Sequence, residues 1–124
     1  MHEDHDQLDH ELARLAESLR AGDHMLGCLR LAEFALKLDH YIRREERALS
    51  FAAELVEVTR PSALAIVHRE HSSLRQLVAA IATALDRADD RRGIELVGKL
   101  RSVLLVHVAK EEMVFHPAMS HAVH

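Results

Sequence analysis

Shifted along itself by 66 residues without a gap, this chain superimposes its first half on its second. Leu8 falls on Leu74, Leu12 on Val78, Leu15 on Ile81 and Leu19 on Leu85, while Leu31, Phe34 and Leu38 fall on Val97, Leu100 and Leu104. Within each half the apolar residues recur three and four positions apart, the spacing of one face of a helix. A register held over this length means that the two halves build the same unit, so the fold must be a duplicated one. Each half contains two such stripes with a break between them. The unit is therefore a helical hairpin, and the chain is two hairpins related by a pseudo-two-fold axis.

The breaks are readable too. Gly22-Asp23 ends the first segment, which begins near Glu3 and runs to about Ala21, and Asp23 is placed to cap the next. That second segment reaches roughly Val58. Thr59-Arg60-Pro61-Ser62 interrupts the chain, with Pro61 set to open a third helix whose apolar stripe is read through Ile66, Leu74, Leu77, Val78, Ile81 and Leu85. Asp89-Asp90 then caps a fourth, carrying Val97, Leu100, Leu104 and Val108 and stopping near Pro117. Helices of about twenty to thirty residues with short joints pack as antiparallel neighbours. The expected fold is all-α, an up-down-up-down four-helix bundle over residues 1–120, with 121–124 as a C-terminal tail.

Composition agrees and excludes several classes of function. Of 124 residues 48% are hydrophobic, but Phe34, Tyr41, Phe51 and Phe115 are the only aromatics, so Leu, Ala and Val must fill the core. That length suits one domain with a core of its own. A formal charge of −4, with Arg43-Arg44 followed at once by Glu45-Glu46, offers no basic stripe for nucleic acid. The apolar runs are too short to span a bilayer, and Met1-His2-Glu3-Asp4 does not read as a signal peptide. Cys28 has no second cysteine to pair with, which fits a reducing compartment. A cytoplasmic protein is expected.

Eleven histidines need an explanation. His116, His121 and His124 surround or follow Pro117, His2 is at the terminus, and His10 and His24 read as surface positions. Of the others, His5, His68, His71 and His107 fall on positions of the repeat, and His40 stands one place off it. His2-Glu3-Asp4-His5 lies on His68-Arg69-Glu70-His71, and Glu45-Glu46 lies on Glu111-Glu112. Any two amphipathic helices would match in their apolar residues; polar matches carry more information. His107 and Glu111, four apart, flank the stripe beside Leu104 and Val108, while His71 shares a face with Leu74 and His5 with Leu8. From His5 to Glu45 and from His71 to Glu111 the interval is the same forty residues. Burying these groups unpaired would cost several kcal/mol each, about 2–7 for a neutral polar group and more for a charge. A metal ion removes that cost by taking neutral imidazole and ionised carboxylate as ligands.

This pattern resembles the hemerythrin-like, or HHE cation-binding, family. The resemblance is carried by Asp4-His5-Asp6-Gln7-Leu8-Asp9, by Glu70-His71-Ser72-Ser73-Leu74, and by His107-Val108-Ala109-Lys110-Glu111-Glu112 running on to Phe115-His116-Pro117-Ala118. It implies a His near the start of the first helix, His-x-x-x-Glu in the second, His in the third and His-x-x-x-Glu in the fourth. One position departs. The repeat sets Tyr41, not a histidine, against His107, with Glu45 four residues on. Either Tyr41 is a phenolate ligand, or His40 reaches the site through a local helix distortion such as a π-bulge. The register favours Tyr41. Relatives often place a second His one turn before the third-helix ligand, which makes His68 a further candidate.

The candidate metal ligands are thus His5, Tyr41 (or His40), Glu45, His71, His107, Glu111 and the further candidate His68. So many donors suit two first-row ions about 3.5–4 Å apart, with Glu45 and Glu111 as bridges between them. His5 and Tyr41 would serve one ion, His71 and His107 the other. The donor set contains no thiolate, unlike structural zinc or iron–sulfur sites. The resemblance implies a pair of non-haem iron ions, although ligand type alone also admits manganese or zinc. It further implies a small partner at the metal: peroxide, dioxygen or nitric oxide. The alternative reading is a non-catalytic iron-binding or redox-sensing module. An oligomer of identical chains is compatible with either.

Overall fold

The computed structural model describes residues 2–56 and 61–110, and these form four α-helices: α1 (His2–Arg20), α2 (His24–Val56), α3 (Pro61–Asp86) and α4 (Asp90–Lys110). α1 packs against α2 and α4, and α3 against the same two, so the helices stand at the corners of a square. This is the expected antiparallel bundle, with no strand among the described residues. The bounds near residue 120 and the tail 121–124 lie outside them.

Duplication is visible in the two tight turns. Gly22 at φ 80° and Ala88 at φ 57° occupy the same left-handed position. At each turn the next amide reaches back five residues, Asp23 N to Ser18 O at 3.0 Å and Asp89 N to Ala84 O at 2.8 Å, closing the helix in a Schellman motif. The same aspartates then cap the second helix of each hairpin. Asp23 accepts a hydrogen bond from the Leu26 amide and Asp89 one from the Arg92 amide, both at 3.1 Å. The first residues of α2 and α4 are repeat mates, and they touch: His24 Nδ1 lies 2.7 Å from Asp90 Oδ1. The pseudo-two-fold axis passes between them.

The stripes form the core. Leu8, Leu12, Leu15 and Leu19 of α1 meet Leu31, Phe34, Leu38 and Ile42 of α2, Leu74, Ile81 and Leu85 of α3, and Val97, Leu100 and Leu104 of α4, all buried. One expectation fails. The periodicity places Ile66 on the α3 stripe, but it is 40% exposed and Val67 is buried in its place. The reason is angular: a residue four before His71 shares its face, whereas position 66 is turned about 100° away. Leu77, Val78 and Val103 pack at the margin of the core.

Ion pairs cross each of the four seams: Glu11 with Lys37 between α1 and α2, Asp39 with Arg75 between α2 and α3, Glu70 with Lys110 between α3 and α4, and Asp9 with Arg101 between α4 and α1. No described helix is long and apolar enough to cross a membrane.

Candidate metal centre

At the end of the bundle away from the two tight turns, the apolar stripes give way to a polar layer. The same three- and four-residue spacing that buries Leu38 also turns Tyr41 and Glu45 of α2 inward, and both are buried. On α3 the face of Val67 and Leu74 carries His71, and on α4 the face of Leu100 and Leu104 carries His107. Neither imidazole is more than 1% exposed.

These side chains converge on one carboxylate. Glu45 Oε1 lies 2.7 Å from His71 Nε2 and 2.9 Å from His107 Nε2. Its other oxygen, Oε2, accepts a hydrogen bond from the Tyr41 hydroxyl, whose oxygen is in turn in contact with His5 Nε2. The two ring pairs are repeat mates and share a geometry. His5 and Tyr41 stack edge to face with centroids 4.9 Å apart at 65°, and His71 and His107 do so at 5.2 Å and 62°. Glu45 therefore stands between two equivalent ring pairs and gives one oxygen to each.

The outer ring nitrogens meet acids as well. His71 Nδ1 lies 2.9 Å from Glu46 Oε1, and His107 Nδ1 contacts Glu70 Oε2. A neutral imidazole carries only one N–H. With a carboxylate at each nitrogen, a neutral ring would turn a lone pair on one side toward an anion. Two states relieve this: a second ring proton, or a cation seated among the Nε2 atoms and Glu45 with the Nδ1 protons kept. Ligand atoms of Glu45, His71 and His107 all lie within 4.8 Å of one another, and the three residues are buried. Nitrogen and oxygen donors gathered this closely fit a first-row divalent cation.

Of the residues expected from sequence, His5, Tyr41, Glu45, His71 and His107 come together in this layer. Between Tyr41 and its alternative the placement differs sharply. Tyr41 is buried against Glu45, whereas His40 is exposed, and α2 runs through both as continuous α-helix without the distortion His40 would need. His68 is set back from the centre: its side chain is 61% exposed and its Nδ1 lies 3.3 Å from Glu46, not Glu45. Glu111 and the ending Phe115-His116-Pro117-Ala118 lie outside the described residues. His10 is exposed, as expected. His24 sits at the far end of the bundle, with Cys28 Sγ 3.5 Å from its Nε2.

Sequence reasoning missed Glu46 and Glu70. The signal was there in part, since Glu45-Glu46 matches Glu111-Glu112 as a pair and Glu70 adjoins His71, but the helical register assigns a role to only one acid of each pair. A groove of about 620 Å³ between α1 and α4, lined by His5, Asp9, Arg101, Leu104 and Leu105, leads from solvent to the His5 side of the layer.

Comparison with known proteins bears on the same residues. The family model described as the hemerythrin HHE cation binding domain matches residues 62–124, which include His71 and His107. Neither the curated proteins nor the solved structures give a match. Residues 1–61, which carry the repeat mates His5, Tyr41 and Glu45, lie outside the match.

Proposed function

The chain belongs to the hemerythrin HHE cation-binding domain family, and from that premise we propose that it is a non-haem di-iron protein that binds or reacts with a small oxidant. The observation that carries this reading is the division of the Glu45 carboxylate, with Oε1 on the His71 and His107 pair and Oε2 toward the Tyr41 and His5 pair. A buried carboxylate shared between two like sets of donors is what a bridge between two cations requires. Glu111, the repeat mate of Glu45, is the proposed second bridge.

Iron, when bound, supplies open coordination positions and a change of oxidation state that side chains lack. The chain's own residues supply the rest. His71, His107 and Glu45 bind on one side, His5 and Tyr41 on the other. Leu38, Ile42, Leu74 and Leu104 close the layer below and keep bulk water out. The α1–α4 groove opens the layer to small molecules from the His5 side.

Tyr41 shapes the preference among oxidants. A phenolate is a hard anionic donor and favours ferric over ferrous iron. Reversible dioxygen carriage needs a pair kept ferrous, so peroxide or nitric oxide is the favoured reactant. The Tyr41 proton, donated to Glu45 Oε2 in the metal-free chain, would be released to solvent if a cation took the phenolate and that carboxylate oxygen as ligands.

The test is anaerobic loading with ferrous iron and metal analysis, then addition of peroxide followed by absorption spectroscopy and a peroxide-consumption assay. Two irons per chain, an intense visible phenolate-to-ferric band and peroxide turnover are expected. Tyr41→Phe should lose the band and slow turnover; a variant matching wild type in both would remove Tyr41 from the ligand set. Two irons without any reaction would leave an iron-responsive binding module. A chain that takes up no iron would overturn the proposal.

A further inference from the structure

We propose that Glu46 and Glu70 are positioning residues of this centre, each holding the outer nitrogen of an imidazole that faces Glu45. The inference rests on the metal-binding reading above and deepens it. Glu46 projects from α2 onto His71 of α3, with Oε1 2.9 Å from Nδ1. Glu70 projects from α3 onto His107 of α4 in the same way. The two contacts form a step repeated around the bundle, each acid serving the histidine of the next helix. Each acid is also steadied from its solvent side by a basic group. Lys110 Nζ donates to Glu70 Oε1 at 3.1 Å, and His68 Nδ1 lies 3.3 Å from Glu46 Oε1. This gives His68 a place at the rim, supporting Glu46 without touching Glu45.

The chemistry follows from the imidazole. A proton held at Nδ1 by a carboxylate leaves the Nε2 lone pair for a cation, fixes the ring's rotation, and makes Nε2 a stronger donor. In both rings Nε2 is the nitrogen aimed at Glu45, at 2.7 and 2.9 Å. If the two contacts only tied helices together, replacing the acids would alter stability and leave metal affinity alone. If they position the rings, affinity must fall even where the fold is intact.

The experiment uses the full chain and cobalt(II) as a spectroscopic probe. Glu46→Gln and Glu70→Gln keep the shape of the side chain and remove its charge. Glu95→Gln, at a 57% exposed position paired with Arg92, controls for lost surface charge. Chelator competition should give affinities lower by about 10–100-fold in each of the two variants. Their visible ligand-field bands should shift as the ring geometry relaxes, and Glu95→Gln should change neither reading. A second measurement needs no variant. A long-range proton–nitrogen spectrum of the zinc-loaded wild-type chain should show His71 and His107 protonated at Nδ1. Protonation at Nε2, or unchanged affinity and spectrum in both variants of a wild type that binds cobalt, would overturn the inference alone. A wild type that binds no cobalt would overturn the metal-binding reading and this inference with it.

Discussion

Glu45 is a carboxylate 3% exposed in a layer of helix cores, a position that is costly unless every oxygen is answered. Oε1 is answered twice and Oε2 by a phenol. Truncating it leaves two buried imidazoles facing a cavity, and breaking a buried charged network by removing one partner costs about 3–5 kcal/mol. Glu45→Ala should therefore lower the urea unfolding free energy of the metal-free chain by about that amount and abolish metal uptake. A variant that keeps its metal would show that the carboxylate is not the hub. The ligand candidates were legible because the repeat and the forty-residue interval constrain polar positions twice over. Tyr41 was legible from register alone, since a helix without distortion turns position 40 away. Glu46 and Glu70 were not. An acid beside a ligand on one helix reads as part of the solvated face, and only the packing of the next helix shows that it leans onto another helix's imidazole.

The hairpin turns repeat in backbone and in their capping aspartates, but not at the left-handed residue. Gly22 takes φ 80° without a Cβ to clash, while its mate Ala88 is held at φ 57°, where an L side chain is strained by about 1–2 kcal/mol. Ala88→Gly should recover part of this, raising stability by about 0.5–1 kcal/mol, less than the full strain because glycine also loosens the unfolded chain. Thermal unfolding of the full chain reads this out, and a loss of stability would mean that the Ala88 methyl contributes packing that offsets its strain. Close approach rather than backbone angle governs the first turn of α2. A Cβ built at Gly27 would lie 2.4 Å from Leu19 Cδ2, and Leu19 is itself buried. Alanine there gains about 1 kcal/mol of helix propensity but overpacks the contact at a cost of about 1–3 kcal/mol. Gly27→Ala should destabilise; a stabilised variant would show that Leu19 can swing aside. Helix ends were readable to within a few residues because Gly22, Asp23, Pro61 and Asp89 punctuate them. The interior of α3 was less so, because Ile66 and Val67 are equally apolar and only His71 decides which of them faces in.

Across the whole molecule, the hydrophobic stripes specify a square bundle and leave its seams to charge pairs. Most of these sit at the surface, where such pairs contribute little. Asp9 and Arg101 make the best-formed one, a two-pronged contact from guanidinium to carboxylate at 2.8 and 3.0 Å that joins the first helix to the last. The hydrogen bonds from Arg101 hold the Asp9 carboxyl below its ordinary range, partial burial opposing them and the charges of Arg101 and His10 adding to them. A carboxyl whose value is lower in the folded chain than in the unfolded one stabilises the fold at neutral pH. That contribution shrinks once the pH falls below the unfolded value of about 3.9, and it is gone once the pH has passed through the lowered folded value. Because the two side chains are 49% and 42% exposed, solvent screening limits the contribution to at most about 1 kcal/mol. Wild type should accordingly exceed Asp9→Asn by about 0.5 kcal/mol in urea unfolding at pH 7 and low salt. The gap should narrow below pH 4 and shrink at 1 M salt, where the screening length is only about 3 Å. A gap unchanged by acid and by salt would mean that Asp9 acts through packing in the α1–α4 groove, and that the seam leading to His5 is held by shape rather than by charge.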